Sequence, residues 1–216
     1  MSDEREVAAP RRLGRCRRET AETKVELTLS PDGGGRAIEV PDGFFAHMLT
    51  ALATHGAFGL EVAASGDVEV DLHHTVEDVG IAFGDALAEA LGERRGIVRF
   101  AHAYAPLDEA LARAVVDLSG RGHFSWEAAP EVANLWATQE FPVTLVADFF
   151  QAVADRGRLT LHLHLLAARN GHHAAEAAFK AAALALRQAV ALRSSPAGGG
   201  DALDDAVPST KGTLTR

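Results

Sequence analysis

His73-His74-Thr75-Val76-Glu77 and His172-His173-Ala174-Ala175-Glu176 repeat one pattern, His-His-x-x-Glu, in opposite halves of a 216-residue chain. On a helix the first histidine and the glutamate of each copy fall at i and i+4 and share a face, while the second histidine turns toward a different neighbour. One copy can give an imidazole and a carboxylate to one ion and its other imidazole to a second ion. Two copies facing each other can therefore close a dinuclear site. A single copy reads first as a solvated or hydrogen-bonded histidine pair; the repetition moves the reading to metal.

The repeat extends outward from the motif. His47-Met48-Leu49-Thr50-Ala51-Leu52-Ala53-Thr54-His55-Gly56 aligns with Asp148-Phe149-Phe150-Gln151-Ala152-Val153-Ala154-Asp155-Arg156-Gly157, with a potential ligand at the first position of each and glycine at the last. The offset is 148 − 47 = 101, against 172 − 73 = 99 for the two motifs. That period is too long for a solenoid repeat. It predicts two similar half-domains related by a pseudo-twofold axis.

Periodicity fills in the elements. Residues 23–30 and 37–40 read as strands around the turn at Pro31-Asp32-Gly33-Gly34-Gly35, and 44–55 as a helix ended by Gly56. Short strands are expected at 60–63 and 68–72, and the first motif opens a helix running through Leu91 to Gly92. The second half begins near Ile97, with strands at 111–118 and 159–166 and helices at 143–154 and 172–192. The fold class is α+β: duplicated half-domains, each a small β-sheet with helices packed on one face. The expected division is a basic arm over 1–17, half-domains over 18–95 and 96–193, and a Gly-rich tail over 194–216 that ends in Ser209-Thr210-Lys211-Gly212.

Composition bounds the function classes. Hydrophobic residues make up 47% and charged residues 24%, ordinary values for a globular protein. The net charge of −9 argues against a general nucleic-acid binder, although arginines cluster at positions 5, 11, 12, 15, 17 and 18. Cys16 is the only cysteine, which leaves no intrachain disulfide and no thiolate cluster. With no apolar leader and no apolar run of membrane-spanning length, the expectation is a cytoplasmic protein without a membrane partner.

The candidate ligands are His47, His73, His74, Glu77, Asp148, His172, His173 and Glu176. Imidazole nitrogens and carboxylate oxygens without thiolate suit Mn, Fe(II), Zn or Co. The order differs from the zincin HExxH and from the Glu-x-x-His of ferritin-like bundles. Arg99, Arg121, Lys180 and Lys211 lie near glycines or motif helices, as anion contacts often do; taken singly, each reads first as a surface charge. Ser209-x-Lys211-Gly212 could fold over a phosphate with hydroxyl, backbone N–H and ammonium donating.

Taken together these residues resemble the imidazoleglycerol-phosphate dehydratase family. The resemblance runs through Arg18-Glu19-Thr20-Ala21-Glu22-Thr23, residues 44–56, His73-His74-Thr75-Val76-Glu77-Asp78, Pro106-Leu107-Asp108-Glu109-Ala110-Leu111, Ser119-Gly120-Arg121, the second motif through Phe179-Lys180-Ala181, and Ser209-Thr210-Lys211-Gly212. It implies a lyase of histidine biosynthesis that dehydrates imidazoleglycerol phosphate to imidazole-acetol phosphate. It also implies a homo-oligomer of 24 subunits with sites between protomers, and two Mn(II) ions per site that favour the imidazolate form of the substrate. It implies an acid/base role for Glu22, with Glu176 both ligand and catalytic, and His55 in the pocket. The phosphate contacts implied are Arg99, Arg121, Lys180, Ser209 and Lys211. Three positions depart from the pattern: Ala46 and Leu72 stand where the family has Asp, and Asp148 where it often has His. They leave a second reading open, a metal-binding oligomeric relative without the lyase activity.

Overall fold

Thr23–Ser30 (β2) alternates buried Val25, Leu27 and Leu29 with exposed Lys24 and Glu26, the period of a strand covered on one face. In the computed structural model, which describes residues 12–193 and 206–214, β2 pairs antiparallel with Gly14–Glu19 (β1) and with Gly59–Gly66 (β4). Arg36–Glu39 (β3) lies parallel to β4, so the order is β1-β2-β4-β3. The second sheet repeats this plan. Phe100–Leu107 (β5), Ala110–Asp117 (β6) and Thr160–Ala167 (β8) pair antiparallel in turn, and His123–Ala128 (β7) runs parallel to β8, giving β5-β6-β8-β7. The duplication seen in the ligand motifs is thus a duplication of topology.

The helices are Gly43–Gly56 (α1), His73–Leu91 (α2), the single turn Pro130–Ala133 (α3), Thr144–Arg156 (α4) and Gly171–Val190 (α5). Helix α2 covers β1 and β2, α5 covers β5 and β6, and the halves then interlock: α1 packs on α5 and α4 on α2. One apolar core results, drawn from both halves. Phe149 on α4 sits at its centre, fully buried against Phe45, Phe83 and Phe179; truncation there to alanine would cost about 3–5 kcal/mol. This interlocking brings His47 and Asp148 each to the motif helix of the other half.

Several expectations need correction. Residues 68–72 form a turn, closed by the Val70 N–H on the Asp67 carbonyl at 2.8 Å, and not a strand. β1 starts at Gly14, inside the segment expected to be a basic arm, so the first half-domain starts before residue 18. Its Arg15 and Arg17 point outward while Gly14 sits so close to the Ala86 carbonyl of α2 that a side chain would not fit. Strands β5 and β7 were not predicted at all. The first eleven residues and the Gly-rich part of the tail, 194–205, lie outside the described residues. Among the described residues no helix is long and apolar enough to cross a membrane.

Candidate metal centre

The second motif begins α5 because Asn170 caps it: its side-chain oxygen accepts the N–H of His172 at 2.8 Å and of His173 at 3.3 Å. One turn later comes Glu176, on the face that meets α1 and His47. His47 Nε2 and His172 Nε2 both approach Glu176 Oε2, at 3.2 and 3.1 Å. The other oxygen, Oε1, accepts from Lys180 Nζ at 2.7 Å. The ring of Phe44 stands edge-on to His172 at 5.0 Å and closes one side. The Glu176 side chain is only 14% exposed. Burial opposes its ionisation, but contacts from Lys180, His47 and His172 prevail and hold its pKa at about 2. One donor atom from each of His47, His172 and Glu176 lies within 4.8 Å of the others, a spacing a single divalent ion could bridge.

The first motif is set more loosely, with its two carboxylates at opposite ring nitrogens of His73. Leu72 offers α2 no side-chain cap; the adjacent Asp71 accepts the His73 N–H at 2.7 Å instead. His73 Nδ1 lies 3.3 Å from Asp148 Oδ2 on α4, and its Nε2 lies 3.9 Å from Glu77 Oε2. The motif helix of each half thus meets the residue that the repeat aligns across the duplication: His47 for the second motif, Asp148 for the first. The other departures fall differently. Leu72 is buried in the core, where a carboxylate would lack solvent, and Ala46 precedes His47 on α1.

The second histidines turn elsewhere. His74 Nδ1 is 3.2 Å from each oxygen of Asp67 and 3.7 Å from Glu22 Oε2; the Asp67 hydrogen bond, against a smaller opposing burial, raises its pKa. One donor atom from each of Glu22, Asp67 and His74 again lies within 4.8 Å of the others. His173 Nδ1 donates to Glu109 Oε2 at 2.8 Å. Glu22 sits in the turn between β1 and β2, which Thr20 ties by accepting the N–H groups of Glu22 at 3.1 Å and Thr23 at 2.9 Å. Buried Asp78, next after Glu77, fastens this turn to α2: it accepts from Arg18 Nε at 2.8 Å and from the Thr23 hydroxyl. Asp67, Asp78 and Glu109 were not singled out as functional from sequence. The signal for two of them was present, since Asp78 follows the motif directly and Glu109 stands in Pro106-Leu107-Asp108-Glu109-Ala110-Leu111.

The expected phosphate contacts fall into two groups. Gly120, at φ 78°, lies so close to the Leu214 carbonyl that only glycine fits, and the returning tail is docked there. Leu214, which follows Ser209 and Lys211 in the tail, thus rests one residue before Arg121, an exposed side chain. Arg99 holds the same tail from the other side, through the Pro208 carbonyl at 2.5 Å, while its guanidinium pairs with Asp117 at 2.7 Å. Lys180 stands apart with Glu176. His55, on the last turn of α1, has its pKa lowered by burial and by the Lys180 ammonium.

Comparison with known proteins bears on this arrangement. The family model for imidazoleglycerol-phosphate dehydratase matches residues 41–186. A protein of that name from Magnetococcus marinus is 47% identical over 202 residues, 92% of this chain and 96% of its own length. One from Acidiphilium cryptum is 50% identical over 198 residues, 91% and 96%. Among solved structures, the dehydratase from Staphylococcus aureus superposes with a TM-score of 0.74 at 35% identity, covering 84% of this chain and 99% of that one. The enzyme from Pyrococcus furiosus, solved in complex with (S)-C348, gives 0.75 at 32% identity, with 91% and 99% covered.

Proposed function

The chain belongs to the imidazoleglycerol-phosphate dehydratase family, and on that premise we propose that it removes water from imidazoleglycerol phosphate with two divalent ions, manganese first among them, held by its paired clusters. As a member at this identity it is a lyase, a dehydratase of histidine biosynthesis, which sets aside the reading of a relative without that activity. What supports the metal reading above all is the convergence of His47, His172 and Glu176, with His73 standing between Glu77 and Asp148 at the duplicated position. Nitrogen and carboxylate donors without thiolate fit such an ion. Bound there, the ions supply Lewis acidity that favours the deprotonated form of the substrate's imidazole ring, from which the neighbouring hydroxyl leaves more readily.

The chain's own residues do the rest. Glu22, with its side chain 56% exposed, is the carboxylate placed to carry the proton from the carbon that becomes the enol. The departing hydroxyl takes up a proton, and the enol relaxes to the ketone. Glu176, with His47 and His172 at one oxygen and Lys180 at the other, would hold the ion on its side of the site. Ser209, Lys211 and Arg121 supply hydroxyl and cationic donors for the phosphate, while Arg99 fixes the tail that carries two of them. His74 and His173 lie about 100° around their helices from the cluster histidines, so a second copy of the chain would bring the ion they serve. The assembly taken by this reading is therefore a homo-oligomer with sites between copies, the 24-mer implied by the resemblance.

The deciding assay is turnover of imidazoleglycerol phosphate by metal-stripped and Mn(II)-loaded protein, with Glu22→Gln beside the parent. Ketone should form only with metal, and Glu22→Gln should be slower by about 100-fold or more at unchanged metal content. Equal rates with and without metal would overturn the reading.

A further inference from the structure

The hairpin turns that join β1 to β2 and β5 to β6 are counterparts, yet their carboxylates stand in different relations to the histidines. Glu19 pairs with Lys24 and Pro106 with Leu111, so the turn residues Ala21-Glu22 correspond to Asp108-Glu109. Glu109 is engaged: its Oε2 accepts from His173 Nδ1 at 2.8 Å, and its Oε1 accepts the Arg169 N–H at 3.3 Å. Its side chain is 21% exposed against 56% for Glu22. Glu22 stays 3.7 Å from His74 Nδ1, outside hydrogen-bond reach. The place that Glu109 takes in the second half is taken in the first by Asp67, just beyond β4, with both oxygens 3.2 Å from His74 Nδ1. The corresponding stretch beyond β8, Ala168-Arg169-Asn170-Gly171, contains no carboxylate.

We infer that Asp67 and Glu109 are positioning residues with one task, each fixing the second histidine of an HHxxE pair with its Nε2 lone pair turned out toward an ion, and that Asp67, by taking this task in the first half, leaves the hairpin glutamate Glu22 free for the reaction. The inference rests on the metal reading above. A neutral imidazole carries one N–H. When a carboxylate accepts it from Nδ1, the lone pair stands at Nε2 and the ring cannot swing; such partners typically alter metal affinity 10–100-fold. Without Asp67, Glu22 is the carboxylate nearest His74. A shift of about 0.8 Å would bring it to normal hydrogen-bond distance and consume the proton carrier. In the second half no reaction depends on Glu109, so the hairpin residue itself serves.

The test measures Mn(II) affinity by the electron paramagnetic resonance of the free ion, and turnover against Mn(II) concentration, for the full chain. Glu109→Leu keeps the bulk and removes the acceptor; it should weaken Mn(II) binding about 10–100-fold, with most of the lost rate returning as Mn(II) is raised. Glu109→Gln, whose amide oxygen still accepts, should recover most of the affinity, which a merely structural role would not require. Asp67→Ala should weaken Mn(II) binding similarly, but its rate should stay depressed under saturating Mn(II), because Glu22 is drawn onto His74. Parent-like affinity in Glu109→Leu, or the same recovery by excess Mn(II) in both variants, would overturn the inference. Those outcomes leave the metal reading standing; a parent protein that takes up no Mn(II) would remove both.

Discussion

Glu176 and Glu77 hold the same place in the two halves, one turn into a motif helix, and they live in different surroundings. Glu176 has Lys180 one turn on, two imidazoles on its other oxygen, and a side chain 14% exposed. Glu77 has Ile81 where its counterpart has Lys180, one imidazole at 3.9 Å, and a side chain 49% exposed. Across the clusters, two histidines, one glutamate and one lysine face one histidine, one glutamate and one aspartate. With neutral histidines the formal charge is −1 + 1 = 0 for the first set and −2 for the second. The duplicated backbone sets where the cluster residues stand, and a few substitutions then decide how much charge each cluster holds.

The largest effect should come from removing the shared carboxylate on either side. Glu176→Ala and Glu77→Ala should each lower the Mn(II) content of the chain from two ions to one and cut turnover by at least about 100-fold. The losses should differ in kind. Glu176→Ala also leaves the poorly exposed Lys180 ammonium without its partner, which destabilises the fold, whereas Glu77→Ala opens an already exposed site. Ion counting and thermal melts on both variants check this. Equal melting losses would break the electrostatic contrast, and two ions retained in either variant would remove its glutamate from the ligand set.

A second contrast is that, among the described residues, the tail docks on the second half. Leu214 rests against Gly120, whereas the equivalent turn of the first half uses Asp32 to bind Arg12 at 2.5 Å. Lys211→Ala should therefore raise KM for the phosphorylated substrate about 10–100-fold, the equivalent of about 1.5–3 kcal/mol for a charge-assisted contact. Metal content should not move, because an ammonium is no ligand. Unchanged KM would sever the tail from phosphate recognition.

The sequence made much of this legible, unevenly. Strands β2 and β8 and the four long helices carried the expected periods, and the two motif copies announced the pseudo-twofold. β5 escaped because its alternation is inverted: Phe100, His102 and Tyr104 face outward, while Ala103 and Ala105 face the core. Small residues on that inner face suit the packing of α5, whose Ala177, Ala178, Ala181 and Ala182 are buried, against β5. β1 escaped because Arg15 and Arg17 face solvent on an edge strand, where charge discourages pairing with other chains, and such a run reads as a basic arm. Residues 68–72 alternate like a strand, yet the chain must turn there to present His73 at a helix start. Of the candidate site, the cluster members were legible by spacing, while Asp67 and Glu109 act through contacts that no spacing encodes.

A smaller effect tests the one position where the clusters differ by ligand type. Asp148 reaches less far than an imidazole, and it stands beside His73 at 3.3 Å. Asp148→His would make the two clusters more alike and should raise Mn(II) affinity at the second by about tenfold, whereas Asp148→Ala should lower it, on the scale of partners that tune a ligand set. Identical titrations for Asp, His and Ala would show that the duplication aligns this residue without using it.

The smallest effect should appear in the pH dependence of metal-free stability, at the pair that distinguishes the second hairpin turn. His173 has its pKa raised, first by its hydrogen bond to Glu109, so its contribution is present below the unfolded value of 6.5 and is lost as pH rises through the raised folded value. Glu109 is held down at about 2, first by His173, so its contribution is present above its unfolded value of 4.5 and is lost as pH falls toward about 2. The two describe one interaction and are not additive. The melting temperature of the metal-free parent minus that of Glu109→Leu should therefore be largest between pH 4.5 and 6.5 and shrink on both sides. Asp108 and Glu176 also favour the charged imidazole, so a residue of His173 stabilisation should survive in the variant and keep the difference modest. A difference that stays flat across this range would mean that the short Glu109–His173 contact orients the ring without an ion pair forming.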